Sequence, residues 1–143
     1  MIFLLDVNVL LAMRYMVHIH HERVRAWTAA LETERSEDHV VLATCPITEL
    51  GFVRVGSGPA GYAASLNGAR EDLLDLKSSM NMLFIPDDVH TGYLPAWVRK
   101  SDQTTDGYLL ALAKAHGGTD HAAAAVTCGL RDTGSRPARS DPR

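Results

Sequence analysis

The chain has 143 residues, of which 46% are hydrophobic and 22% charged, and this composition supports one globular domain with a substantial core. The formal net charge of −3 at pH 7 excludes a broadly basic surface for binding nucleic acid. No apolar run approaches the roughly 20 residues that a membrane span needs. The two cysteines give no disulfide framework and indicate a reducing compartment, so we expect a cytoplasmic protein that does not contact a membrane.

The first predicted element is a strand formed by the consecutive apolar residues 2–5, which are typical of a strand buried on both faces of a parallel sheet. Asp6 follows at once, and Asn8 lies two residues further on. A carboxylate at this point either caps a helix that begins there or lies at the open carboxyl end of the strand and holds a cation. Both interpretations place Asp6 where the first strand ends.

Strand and helix patterns alternate along most of the remaining chain. Apolar residues at helical spacing predict the helices, and short β-branched or apolar runs predict the strands. In chain order we predict a helix at 7–13, a helix at 18–34, a strand at 40–44, a helix at 46–55, a helix at 60–79, a strand at 82–85, a short helix at 90–100 and a helix at 107–116. This alternation predicts an α/β fold with a parallel sheet.

Three carboxylates share one predicted placement. Asp6 ends a strand, Glu49 lies in the first turn of a helix that follows a strand, and Asp106 lies in the first turn of another helix. In a parallel sheet these positions lie on one side, so the acids can converge although 43 and 57 residues separate them along the chain. Each acid alone is more often a favourable helix-start residue. Together they predict an acidic pocket, which a divalent cation such as Mg²⁺ would neutralise.

Each of the three acids lies in a distinctive segment: Leu-Leu-Asp-Val-Asn-Val-Leu-Leu-Ala at 4–12, Ile-Thr-Glu-Leu-Gly-Phe-Val-Arg at 47–54, and Thr-Thr-Asp-Gly-Tyr-Leu-Leu-Ala-Leu-Ala at 104–113. These segments resemble the signature segments of PIN-domain ribonucleases, and most closely those of the VapC-type toxins of bacterial toxin–antitoxin pairs. Residues 20–27 also resemble the second helix of that group. The resemblance covers about residues 1–118 in the family's order. It implies a three-layer α/β/α sandwich with a short parallel sheet.

The resemblance also implies a site and an activity. Asp6, Glu49 and Asp106 match the family's first three acids and would be the catalytic residues, with Asp6 and Asp106 as ligands of Mg²⁺ or Mn²⁺. Asn8 matches the polar residue that supports the first acid. The implied activity is endonucleolytic cleavage of RNA (tRNA, rRNA or mRNA). The implied partners are a cognate antitoxin and a second copy of the chain in a homodimer.

The chain departs from the family pattern after residue 118. The fourth acid, expected about 18–20 residues after the third, has no counterpart at 124–126, because Asp120 comes too early and Asp132 too late. We therefore expect a PIN-like domain at 1–118, an atypical end of that domain at 119–130 and a disordered, arginine-rich tail at 131–143. A second hypothesis follows, in which a catalytically impaired PIN-fold protein binds antitoxin or RNA without cleaving.

Other interpretations have weaker support in the sequence. Arg14 and Arg54 are candidate phosphate contacts, although solvent-exposed arginines are commoner. The histidines at 18, 20 and 21 lack the further Cys or His partners that a zinc site needs. A phosphotransferase with Asp6 as nucleophile would place a second acid two residues on, where this chain has Asn8.

Overall fold

The structure is a computed structural model that describes residues 2–34, 40–59 and 61–117. Its elements are β1 (Ile2–Leu4), α1 (Val7–Arg14), α2 (His21–Glu34), β2 (Val41–Thr44), α3 (Pro46–Gly56), α4 (Leu66–Ser79), β3 (Leu83–Phe84) and α5 (Thr104–Ala115), with short 3-10 turns at Thr91–Tyr93 and Ser101–Gln103. The expectations for residues 119–143, including the missing fourth acid, lie outside the described residues. No helix in the described ranges is long and apolar enough to cross a membrane.

The described strands form a parallel sheet in the order β1-β2-β3. Leu4 pairs with Ala43, and Ala43 pairs in turn with Leu83 on the other side. The predicted α/β fold with a short parallel sheet is therefore confirmed. Since all three strands run the same way, their carboxyl ends lie along one edge of the sheet, which we call the carboxyl edge.

Side chains of the strands alternate between two apolar layers, as the period of a strand requires. One face of the sheet packs on α5, through Leu4, Ala43, Cys45, Ile85, Leu109, Leu112 and Ala113. The other face packs on α1, α2, α3 and α4, through a cluster that includes Phe3, Leu5, Leu42, Val24, Phe52 and Leu73. The result is the three-layer α/β/α arrangement that the resemblance implied.

A close helix contact fixes the start of α1. Gly51 of α3 is buried against Val7, and a Cβ built at Gly51 would overlap the Cγ2 methyl of Val7. Glycine at this position lets the two helices approach more closely than any side chain would. Because Val7 lies between Asp6 and Asn8, the contact also sets where the first acid stands.

A polar cluster ties α1 to α4. Arg14 pairs with Asp72 through Nη2 and through Nε at 3.0 Å, and the Tyr15 hydroxyl donates to the other carboxylate oxygen at 2.8 Å. Burial raises the pKa of Asp72, but the hydrogen bonds from Arg14 and Tyr15 outweigh it and leave this pKa below its usual 3.8. The carboxylate is therefore held in its charged form at neutral pH.

Two predicted helices begin later than expected, and a local side-chain hydrogen bond lies at the start of each. α4 begins at Leu66 rather than 60, since the Ser65 hydroxyl accepts a hydrogen bond from the Gly68 amide at 3.0 Å. α2 begins at His21 rather than 18, since the ring Nδ1 of His18 accepts from the His20 amide at 3.1 Å. Both corrections reflect local side-chain hydrogen bonds that compete with the helix.

The predicted short helix at 90–100 is wrong. Thr91–Tyr93 and Ser101–Gln103 form single 3-10 turns instead, with a non-helical connection between them. Pro95 lies in that connection and removes a backbone donor that a continuous helix would need. The segment packs Val98 against the first turn of α5, where a Cβ at Gly107 would overlap a Val98 methyl.

Candidate active site

Asp6 lies two residues after the end of β1 and caps α1. Its backbone is extended, with φ −78° and ψ 167°, and its carboxylate accepts a hydrogen bond from the backbone amide of Asn8. The capping interpretation is thus correct, and it is compatible with a functional role because the capped carboxylate still lies at the carboxyl edge. The amide dipoles at the start of α1 stabilise its negative charge.

Asn8 supports Asp6 in a way that the sequence did not reveal. The hydrogen bond to Asp6 comes from the main chain of Asn8, and the Asn8 side chain is exposed to solvent at the same edge. The amide side chain is therefore available to solvent or substrate rather than buried beneath the acid.

Glu49 lies in the first turn of α3, just beyond the end of β2. Its Oε1 atom accepts a hydrogen bond from the Thr44 hydroxyl at 2.6 Å and pairs with the ammonium of Lys77. Thr44 is the last residue of β2 and is fully buried, so it anchors Glu49 to the end of that strand. Lys77 comes from the last turn of α4 and was not among the predicted site residues.

Asp106 lies in the first turn of α5 and is partly buried. α5 packs on the sheet through Leu109 and Leu112, which meet Leu4 and Ala43. The next residue, Gly107, is closed over by Val98. These contacts hold the start of α5 against the sheet, and they place Asp106 at the amino end of a helix that lies over β1.

Asp6 thus lies just after β1, and Glu49 and Asp106 lie in the first turns of α3 and α5, as predicted. Among the described residues, however, the three acids are not gathered into one metal-binding group. In the described ranges, no three His, Cys, Asp or Glu side chains lie close enough together to hold a metal ion. Glu49 instead has a lysine as its counter-charge. Asp6 and Asp106 fit a divalent cation by their chemistry, since Mg²⁺ is usually held by one or two carboxylates, with waters and substrate phosphates completing its shell.

A cleft of about 540 Å³ opens beside the start of α5. Its lining includes Thr104 and Thr105, which immediately precede Asp106, together with Val89 and His90. Tyr108 also lines the cleft, and its hydroxyl contacts Asp87 and donates to the Val89 carbonyl at 2.7 Å. Sequence reasoning missed this cleft because three of its lining residues, His90, Thr91 and Leu94, come from a segment predicted to be a helix.

The two candidate phosphate contacts have different surroundings. Arg14 is committed to Asp72 and also lies 3.7 Å from Asp75, so the structure gives it a role in packing α1 on α4. Arg54, in the last turn of α3, is exposed. Among the histidines, His18 is buried and the described residues form no zinc-binding group around it.

An α/β/α sandwich with a short parallel sheet and acids at its carboxyl edge defines a PIN-like domain. The chain is 39% identical over 118 residues to Ribonuclease VapC38 of Mycobacterium tuberculosis, an alignment that covers 80% of this chain and 79% of that protein. It is 37% identical over 131 residues to Ribonuclease VapC44 (80% of each chain) and 35% identical over 121 residues to Ribonuclease VapC29 (82% of each), both from the same organism. The chain therefore belongs to the VapC-type PIN ribonuclease family. No family model and no solved structure matches it.

Proposed function

We propose that this chain is a metal-dependent endoribonuclease and the toxin of a toxin–antitoxin pair. The observation that carries the proposal is the placement of Asp6. It lies two residues after β1, is fixed by the first turn of α1, and stands on the edge of the sheet where Glu49 follows β2. The names of its relatives, each a VapC ribonuclease, support the same activity.

The candidate site residues have different roles. Asp6 is held in one orientation by the Asn8 amide, and Glu49 is held by the Thr44 hydroxyl. Asp6 and Asp106 would hold Mg²⁺ or Mn²⁺, which when bound supplies a water of lowered pKa and positive charge beside the scissile phosphate. The protein itself has a net charge of −3, so bound cations are needed to offset repulsion of the RNA backbone.

The cleft beside Asp106 offers a place for an unpaired nucleotide next to the cleaved bond. Its walls combine the hydroxyls of Thr104 and Thr105 with the apolar surface of Val89 and Leu94. Sequence-specific proteins read RNA mostly in single-stranded loops whose bases can be splayed out. We therefore propose a looped RNA as substrate, in tRNA, rRNA or mRNA.

The test is cleavage of purified tRNA, rRNA and mRNA by the purified chain. Cleavage should require Mg²⁺ or Mn²⁺, stop with EDTA, and fall by about 100-fold or more in Asp6→Asn and Asp106→Asn. Asp102→Asn is the matched control, because this exposed acid lies in the 3-10 turn just before α5 and should not affect the rate. Cleavage that persists in EDTA, or that Asp6→Asn leaves unchanged, would contradict the proposal.

The second candidate is a catalytically impaired PIN-fold protein that binds antitoxin or RNA without cutting. It is favoured by the ion pair between Lys77 and Glu49, and by the absence of an acid from the sequence at 124–126. RNA or antitoxin binding by the chain, with cleavage no faster than that of Asp6→Asn, would establish it. Both candidates include a cognate antitoxin and a homodimer, which co-purification and sedimentation of the full chain would reveal.

A further inference from the structure

Lys77 places an ammonium group against Glu49, one of the three candidate acids. Its ammonium pairs with Oε1 of Glu49, the same oxygen that accepts the Thr44 hydroxyl at 2.6 Å. The Lys77 and Glu49 side chains are only 21% and 22% exposed. The ammonium also lies 5.2 Å from the ring centre of Phe84, at the end of β3. A charge shielded in this way from water acts more strongly on its neighbours than one on the open surface.

The pairing has two consequences for a divalent ion at the carboxyl edge. Lys77 neutralises Glu49, so the Glu49 oxygen that faces it is no longer a free ligand. The lysine also repels any second cation brought to Asp6 and Asp106. Both effects oppose metal binding, and both come from α4, a helix that carries none of the predicted acids.

We propose that Lys77 is a positioning residue that stands in for a metal ion at Glu49 and thereby weakens divalent-ion binding at the site. It keeps Glu49 oriented by Thr44 while no metal is bound, and it leaves the ion to Asp6 and Asp106. The inference rests on the proposed metal-dependent nuclease, because it concerns the same site. An ordinary structural ion pair would behave differently, since its removal would lower stability without strengthening metal binding.

The experiment is a titration of the purified full chain with Mn²⁺, in which electron paramagnetic resonance measures the free ion. Lys77→Met should tighten Mn²⁺ binding on the order of tenfold, because it removes one positive charge and leaves the negative charge of Glu49 without its counter-charge at the same edge of the sheet. The double variant Lys77→Met/Glu49→Gln should return to wild-type affinity, because its pair is again neutral overall. Lys77→Arg, which keeps the charge, should also bind like the wild type.

Two further variants complete the design. Arg70→Met removes an exposed cation from the same helix and should leave Mn²⁺ affinity unchanged. Lys77→Gln keeps a hydrogen-bond donor to Glu49 without the charge and should tighten binding as Lys77→Met does, which covers the case in which the methionine variant does not fold.

Each outcome tests the effect of Lys77 on metal binding independently of RNA cleavage. Unchanged or weaker Mn²⁺ binding in Lys77→Met and Lys77→Gln overturns the role of Lys77, even if the wild type cleaves RNA in a metal-dependent way. A gain in Mn²⁺ affinity that persists in the double variant also overturns the role of Lys77, because the gain then does not depend on the charge of Glu49. Tighter binding that Glu49→Gln cancels supports it, even in a chain that cleaves no RNA. Absence of Mn²⁺ binding in every variant overturns it as well.

Discussion

The contact between Gly51 and Val7 predicts an unusual response to a small substitution. In Gly51→Ala the added Cβ would overlap the Cγ2 methyl of Val7 and lie 3.6 Å from its other methyl. Valine within a helix is held to one χ1 rotamer, so the methyl cannot turn aside. One of the two helices must therefore shift, and Asp6, which precedes Val7, would shift with α1.

The expected size of the effect follows from two opposing contributions. Replacing glycine by alanine inside a helix normally stabilises a protein by about 0.8–1 kcal/mol. Overpacking a well-filled contact costs about 1–3 kcal/mol. We therefore expect Gly51→Ala to lower the free energy of unfolding by up to about 2 kcal/mol in the wild-type background, but to raise it by about 1 kcal/mol when Val7 is already alanine.

Urea denaturation followed by circular dichroism would measure the four members of this double-mutant cycle. RNA cleavage should fall in Gly51→Ala and recover when Val7→Ala is added, because the second change lets α1 return to its place. If Gly51→Ala stabilised both backgrounds equally, the two helices would not be in tight contact, and the argument that Gly51 positions Asp6 would be wrong.

Two further predictions concern charged groups in the helical layer. Asp72→Asn should cost about 1–2 kcal/mol of stability, because it breaks the part-buried pair with Arg14, whereas Asp75→Asn, whose side chain is 72% exposed, should cost less than about 0.5 kcal/mol in the same denaturation assay. Equal losses of stability in Asp72→Asn and Asp75→Asn would contradict the stabilising role of the Arg14–Asp72 pair. Burial, with the charge of neighbouring His20, lowers the pKa of His18 in the folded chain below 6.5. As the pH falls, His18 is therefore protonated in the unfolded chain before it is protonated in the folded chain. Stability should therefore decrease below about pH 6.5, and His18→Asn, which keeps an acceptor for the His20 amide, should reduce that decrease; an unaltered pH profile would refute it.

The sequence predicted the positions of the three acids well, because the strands and helices that carry them depend on local patterns. The apolar run before Asp6 indicates a buried strand, and Pro46 marks the start of α3, so the placements of Asp6 and Glu49 follow from short stretches of chain. The same holds for α5, whose first turn contains Asp106. The roles of these acids remain predictions, since position alone does not establish catalysis.

What the sequence could not predict arises from contacts between distant elements. Lys77 and Glu49 are 28 residues apart, and nothing in α4 marks this lysine as different from a solvent-exposed one. The direction of the Glu49 carboxylate depends on that contact and on Thr44. The later start of α4, in contrast, had a local signal in Ser65, a strong helix-capping residue that the apolar pattern of 60–79 obscured.

The spread of the acids along the chain has a consequence for biosynthesis. A ribosome releases Asp6 first, then Glu49, and only much later Asp106 together with the helix that covers one face of the sheet. Until α5 emerges, that face, with Leu4 and Ala43, has no helix from the described chain to pack on it. A nascent chain that has not yet produced α5 therefore lacks Asp106 and exposes apolar surface on that face of the sheet, so the third acid and the helix that covers this face are added in the same step.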